Sequence, residues 1–245
     1  MLGIANALSL GMGGGGAAAF NPSDYGTVAW WLRGDDVTLN GADVASWNDK
    51  SGNARHWTQG TPGKQPLFVA SAINGKPGLQ FDAASQEHLR GPNFFGVFTA
   101  AETFIVLQRT ADPPVSATTD GLWKIGQGTS SVVPFTDGKI YDSFASTVRK
   151  TTVNPAASMA SPCVYNVVST SSEWTNFLNG TQLYTTATNT VAFYNSPAAL
   201  GWDIVSTIYM DGIICEWLTF SAKLDAAGKA AVKAYLGTRY GITMA

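Results

Sequence analysis

From Asn21 onward the chain alternates apolar runs of four to eight residues with clusters of Gly, Pro, Asn, Asp and Ser. That rhythm restricts it to a fold of short strands joined by turns. The runs are 28–32, 67–70, 78–81, 103–108, 122–125, 164–169, 175–178, 182–185 and 213–220. They do not alternate with helical segments, which argues against a parallel sheet and its nucleotide-binding crossover. Asn179-Gly180 lies between two runs and predicts a type I′ hairpin, because both residues tolerate positive φ. Asp137-Gly138 and Asp211-Gly212 are weaker forms of the same signal. One helix is predicted over 223–237, with Asp225 as N-cap, Val232, Tyr235 and Leu236 on a common face, and Gly237 as its stop.

Composition agrees with strands. Charged residues are 13% of the 245, about half the usual share. Polarity comes instead from 25 Thr and 19 Ser, and Gly plus Pro add 37 more residues. This excludes a long helical bundle, a coiled coil and an acidic disordered chain. Fifteen Lys plus Arg against seventeen Asp plus Glu leave −2, so nothing draws the chain to nucleic acid or anionic lipid. Its apolar stretches fall far short of the ~20 residues a bilayer requires. Cys163 and Cys215 lie in separate apolar runs and are expected as buried free thiols.

Residues 1–20 stand apart. Leu2, Ile4, Leu8, Leu10 and Met12 precede four consecutive glycines at 13–16. A secretory signal is disfavoured, since no Lys or Arg occurs before Arg33 and Gly3, Asn6 and Gly11 interrupt the apolar stretch. The five apolar side chains instead suit an arm that a partner buries, an assembly anchor. The expected organisation is therefore an arm over 1–20 and one β-sandwich over 21–245.

The search for chemistry returns little. His56 and His88 have no second His or Cys at metal spacing and are expected at turns or on the surface. No Gly-x-Ser-x-Gly elbow or phosphate-binding glycine pattern is present. Asp35 and Asp36 would point to opposite faces of a strand, and Glu216 sits alone in an apolar run. Neither forms the carboxylate pair that glycoside hydrolysis uses, and Glu216 is expected as a structural hydrogen-bonding group. Arg33-Gly34-Asp35 and Asn179-Gly180-Thr181 match short adhesion and glycosylation motifs that chance supplies easily. The segment 47–53, Trp-Asn-Asp-Lys-Ser-Gly-Asn, crowds oxygen atoms together. Asn48, Asp49 and Asn53 suit a hard cation such as Ca²⁺, and Asx turns explain the same residues without a metal. No other cofactor is expected.

Eight tryptophans remain. Trp31, Trp47, Trp123 and Trp217 lie in strand-like contexts and are expected in the core. Trp57, Trp174 and Trp202 sit beside polar loops and are the candidate glycan-stacking residues.

Several segments together resemble the concanavalin A-like lectin/glucanase superfamily, in the LamG-like form common in bacteriophage structural proteins. They are 29–35, Ala-Trp-Trp-Leu-Arg-Gly-Asp; 44–53, ending in Trp-Asn-Asp-Lys-Ser-Gly-Asn; Gln65-Pro66; 74–82, Asn-Gly-Lys-Pro-Gly-Leu-Gln-Phe-Asp; and the closing block 211–218 with 223–224 and 235–242. The resemblance implies an all-β, two-sheet antiparallel jelly-roll sandwich with one short C-terminal helix behind an extended N-terminal arm. It implies a concave face that binds glycans or proteins. The glucanase catalytic motif is missing, so no enzyme is expected. With the arm, the resemblance implies a virion structural or decoration protein of a phage head, neck or tail, oligomeric and bound to other virion proteins. The alternative is a host-surface glycan-binding module, and a glycoside hydrolase ranks below both.

Overall fold

The computed structural model describes residues 19–117, 120–129 and 131–245. The anchor candidates Leu2, Ile4, Leu8, Leu10 and Met12 lie outside the described residues. The strands in chain order are β1 (Val28–Asn40), β2 (Asp43–Asp49), β3 (Trp57–Thr58), β4 (Leu67–Ile73), β5 (Lys76–Phe81), β6 (Leu89–Arg90), β7 (Ala101–Arg109) and β8 (Trp123–Lys124), and each apolar run falls within or overlaps a strand. After them come β9 (Tyr141–Asp142), β10 (Lys150–Thr151), β11 (Cys163–Thr170), β12 (Glu173–Leu178), β13 (Thr181–Thr186), β14 (Ala199–Leu200) and β15 (Gly212–Phe220), closed by helix α1 (Ala226–Tyr240).

The chain is thus mostly β, with one C-terminal helix and a large antiparallel sheet. The large sheet is one hydrogen-bonded path, β13-β12-β11-β7-β15-β5-β4-β2-β3-β6-β14-β8, and β9 and β10 pair separately as a two-stranded sheet. Strand β1 carries the ladder round. Its first half pairs with β15 and its second half with β2, so β1, β15, β5, β4 and β2 form a closed circuit. The register shifts between Leu32 and Val37, where β1 crosses β5. Only a glycine fits that crossing: a Cβ on Gly34 would stand 2.2 Å from the Pro77 carbonyl oxygen.

Period-two alternation sorts side chains onto two cores. In β7, Ala101, Ile105 and Leu107 face the main core while Phe104 and Val106 face α1. In β15 a bulge between Ile214 and Glu216, opposite Leu107 and Val106, turns both Cys215 and Glu216 toward the helix. The main core centres on Trp217, which meets Trp30 edge-on at 5.2 Å, Trp57 at 4.7 Å and stacks on Trp123 at 5.6 Å. The second core joins Val232, Leu236 and Tyr240 of α1 to Phe104, Val106, Leu218 and Phe220.

Local signals hold in most places. Asn179 and Gly180 take φ of 50° and 83° between β12 and β13. Asp225 caps α1 by accepting from the Gly228 amide at 2.7 Å. Cys163 and Cys215 are free and buried. Three expectations change. The helix runs through Gly237 to Tyr240, and Gly241 at φ 67° ends it. Gly237 stays helical because Ile242 doubles back to donate its amide to the Gly237 carbonyl at 3.0 Å, over a position where a side chain would collide. Asp211-Gly212 enters β15 and makes no hairpin. Strand β2, between two turns, was not predicted, because its polar residues hide the pattern.

Candidate functional site

The segment 47–53 forms a strand-end knot. Both Asp49 oxygens are occupied. Oδ1 accepts from the Trp31 and Ser51 amides at 2.9 Å, and Oδ2 accepts from the Ser51 hydroxyl at 2.8 Å and the Arg55 amide at 2.9 Å. Asn53 donates to the Val28 and Ala29 carbonyls, and Asn48 Oδ1 accepts from Ser46. Four donors fill the lone-pair sites a cation would use, so the turn reading replaces the Ca²⁺ reading for Asn48, Asp49 and Asn53. Among the described residues no group of three or more His, Cys, Asp or Glu side chains could hold a metal ion.

Glu216 is structural as well. It is fully buried and accepts from Trp31 Nε1 at 2.6 Å, Tyr235 OH at 3.0 Å and Tyr240 OH at 2.8 Å, with Arg239 Nε at 3.4 Å. Burial pushes its carboxyl above the ordinary range against these donors. Asp35 pairs with Arg33 and Arg239, while Asp36 pairs with Lys50. The Arg33-Gly34-Asp35 tripeptide lies inside β1 and not at a loop tip.

Two of the three stacking candidates are corrected. Trp57 and Trp174 are fully buried and offer no face to a ligand. Polar loops flank both in sequence, yet alternation sends Trp57 inward while Thr58 points out, and Trp174 Nε1 donates to the Phe144 carbonyl at 3.0 Å. Trp31, expected in the core, is half-buried because its indole reaches Glu216 from the surface side. Trp202 is half-buried. It stacks on Tyr209 at 5.5 Å and 6°, touches His88 at 4.7 Å, and lies under the Arg90 guanidinium at 5.4 Å. His88, expected on the surface, is buried against it.

Trp202 and Tyr209 bridge the base of a hairpin whose Ser206 and Ile208 wall a cleft of about 310 Å³. Val132, Phe135, Tyr141 and Arg149 complete the lining. The Asp137-Gly138 turn, visible in the sequence, builds the second wall. The Gly138 amide donates to the Phe135 carbonyl and the Phe135 amide to the Lys139 carbonyl, both at 2.8 Å. The turn sets Phe135 edge-on to Tyr141, with centroids 5.7 Å apart at 87°. The Tyr141 hydroxyl donates to Asp137 at 2.8 Å, and the Arg149 guanidinium lies 4.8 Å over its ring.

Strand β9 holds Tyr141 outward because Asp142 is anchored inward. The fully buried Asp142 accepts from Trp123 Nε1, Ser131 Oγ and the Phe144 amide at 2.9 Å, and from Tyr165 OH at 3.0 Å. Asp203 sets the other wall by accepting from the Val205 amide at 3.2 Å, and burial lifts its carboxyl to about 6. The cleft thus offers two half-buried aromatic rings, one exposed guanidinium and a serine hydroxyl on rigid turns. Such a surface can stack on an apolar ring face and donate hydrogen bonds to its hydroxyls. A count of tryptophans passes over it, since Phe135, Tyr141 and Arg149 lie where the sequence pattern is weakest.

No family model matches the chain, and no curated protein matches it. Solved structures do resemble it. Domain 4 of AbnA, a GH43 extracellular arabinanase from Geobacillus stearothermophilus solved with arabinotriose, aligns at TM-score 0.58 and 11% identity, over 83% of this chain and 97% of that one. Trypanosoma rangeli sialidase in complex with the inhibitor DANA aligns at 0.56 and 12%, over 83% of this chain and 32% of the sialidase. The binding domain of Paraclostridial Mosquitocidal Protein 1 gives 0.59 and 10%, over 89% of this chain and 53% of that one. The likeness is one of fold. It is a β-rich, lectin-like fold, and the chain spans about a third of the sialidase and about half of the mosquitocidal binding domain.

Proposed function

We propose that the chain is a glycan-recognition module that binds through the cleft of Phe135, Tyr141 and Arg149. The observation that carries this reading is the aromatic pair on rigid turns beside a guanidinium, which suits a sugar ring with its hydroxyls. Support comes from the neighbours, one solved with arabinotriose, one a binding domain of a mosquitocidal protein and one the receptor-binding domain of botulinum neurotoxin type G. The module binds without turnover. We take the fold to be the concanavalin A-like jelly roll, its two layers joined through β1.

The test is a glycan array followed by calorimetry, with arabino-oligosaccharides and sialosides as first probes. Tyr141→Ala and Phe135→Ala should each weaken a retained glycan by about tenfold or more. Retention of no glycan, or wild-type affinity in both variants, overturns the reading.

A second reading is favoured by the start of the described chain, where Phe20 is stacked on Tyr235 at 3.9 Å and 7°. In it the module is a non-enzymatic decoration or appendage protein on a phage particle, and the arm joins other virion proteins. Electron microscopy of particles carrying the tagged chain tests it, and a particle without the chain rejects it.

A further inference from the structure

A second, larger groove of about 760 Å³ runs along α1. Its apolar wall is Phe20, Tyr25, Ala231 and Ala234, and its polar wall carries Asn74 and Lys76 with Arg239 near one end. Two features of this groove are unlike an ordinary solvated helix face. Outward positions of a surface helix usually carry charge, yet α1 turns Ala231, Ala234, Tyr235 and Thr238 to the groove before Arg239. Phe20 is also held as a wedge at the groove's edge. It is stacked on Tyr235, lies parallel to Tyr25 at 5.7 Å and meets Trp31 edge-on at 6.4 Å. The chain N-terminal to Phe20 therefore departs from a fixed point on the groove wall.

The sequence on the far side of that point matches the groove. Residues 2–12 contain Leu2, Ile4, Leu8, Leu10 and Met12, and no charged side chain precedes Asp24. Apolar side chains suit the tyrosine and alanine wall, while a main-chain carbonyl suits the Lys76 ammonium on the polar wall. Residues 13–19 give a seven-residue link, which reaches at most ~25 Å when extended. The groove follows α1 from Ala231 to Thr238, a helical length of only ~12 Å. A link that short gives a tethered segment a millimolar effective concentration, which favours the chain's own arm over a free competitor.

We propose that this groove is the seat of the chain's own residues 2–12. The arm is then a retractable segment, docked on its own body until a partner with a better apolar surface draws it out. This assignment does not depend on glycan binding at the aromatic cleft.

The test uses the full chain with Leu8→Cys or Leu10→Cys, each combined with Ala234→Cys, oxidised at low micromolar concentration. The native Cys163 and Cys215 are buried and stay silent. A control pairs the same arm cysteine with Val153→Cys, at an exposed site outside the groove. The expected result is an intramolecular disulfide whose yield is independent of protein concentration and exceeds the control. A yield no higher than the control overturns the proposal. So does a crosslink found only in dimers, which would assign the groove to a second copy. As a check without cysteines, Ala234→Arg places a charge in the groove while keeping helix propensity. It should speed chymotryptic cleavage within residues 2–12 by about tenfold, and an unchanged rate overturns the proposal.

Discussion

Asp49 shows how one side chain fixes a chain entry. Three of its four donors are backbone amides, from Trp31, Ser51 and Arg55, so it joins the start of β1 to the loop after β2. Asp49→Ala leaves those amides without their acceptor and should destabilise the protein by about 2–4 kcal/mol in urea titration. Because no lone pair is left over, neither EDTA nor millimolar Ca²⁺ should move the melting temperature. A shift of several degrees would restore the metal reading. A different carboxylate sets a pH dependence. Burial, followed by the charges of Asp82, Asp43 and Asp211, lifts Glu87 from 4.5 to about 7, while the Asp82 amide pulls it down. The folded state then holds the proton more tightly than the unfolded chain. This contribution is complete below pH 4.5 and is lost as pH rises through about 7. The melting temperature of wild type relative to Glu87→Gln should fall across that window. A constant difference from pH 4 to 8 would rule out the assignment.

At the scale of elements, α1 is a clasp. Its underside brings Val232, Leu236 and Tyr240 onto β7 and β15, and two buried carboxylates of those strands reach up to it. Glu102 pairs with Lys229 at 3.1 Å and accepts from the Leu224 amide, while Glu216 receives Tyr235 and Tyr240. Leu236→Ala should therefore cost about 2–5 kcal/mol by chemical denaturation. A loss below 1 kcal/mol would mean the helix is not part of the cooperative core. The strands that are near-continuous apolar runs, β7, β11 and β15, and the capped helix were legible in the sequence, because local pattern and burial coincide there. Strand β2 and the turns from 126 to 150 were not. Their residues take position from distant partners, as Asp142 does from Trp123 and Tyr165, and no local period records such a partner. The aromatic cleft was missed for the same reason. Of its parts, only the Asp137-Gly138 turn was visible beforehand, and of the three tryptophans proposed for binding only Trp202 stands near it.

For the whole molecule, two cores with one thiol each give a way to watch it come apart. Cys163 lies in the main tryptophan core and Cys215 beneath α1, and burial pushes both thiols to about 12. The native protein should resist a thiol-specific disulfide reagent. In mild urea Cys215 should label before Cys163, since lifting α1 opens only the second core. Equal labelling rates would show a single cooperative unit. The closed circuit of β1, β15, β5, β4 and β2 has a mechanical meaning too. Residues N-terminal to Phe20 feed into Val28, whose strand is laddered to β15 along its first half and to β2 along its second. A pull on that end acts along the strand axis, so it loads many ladder bonds in parallel instead of unzipping them one by one. If the arm is a tether, the body is hung by the strand that closes its ring.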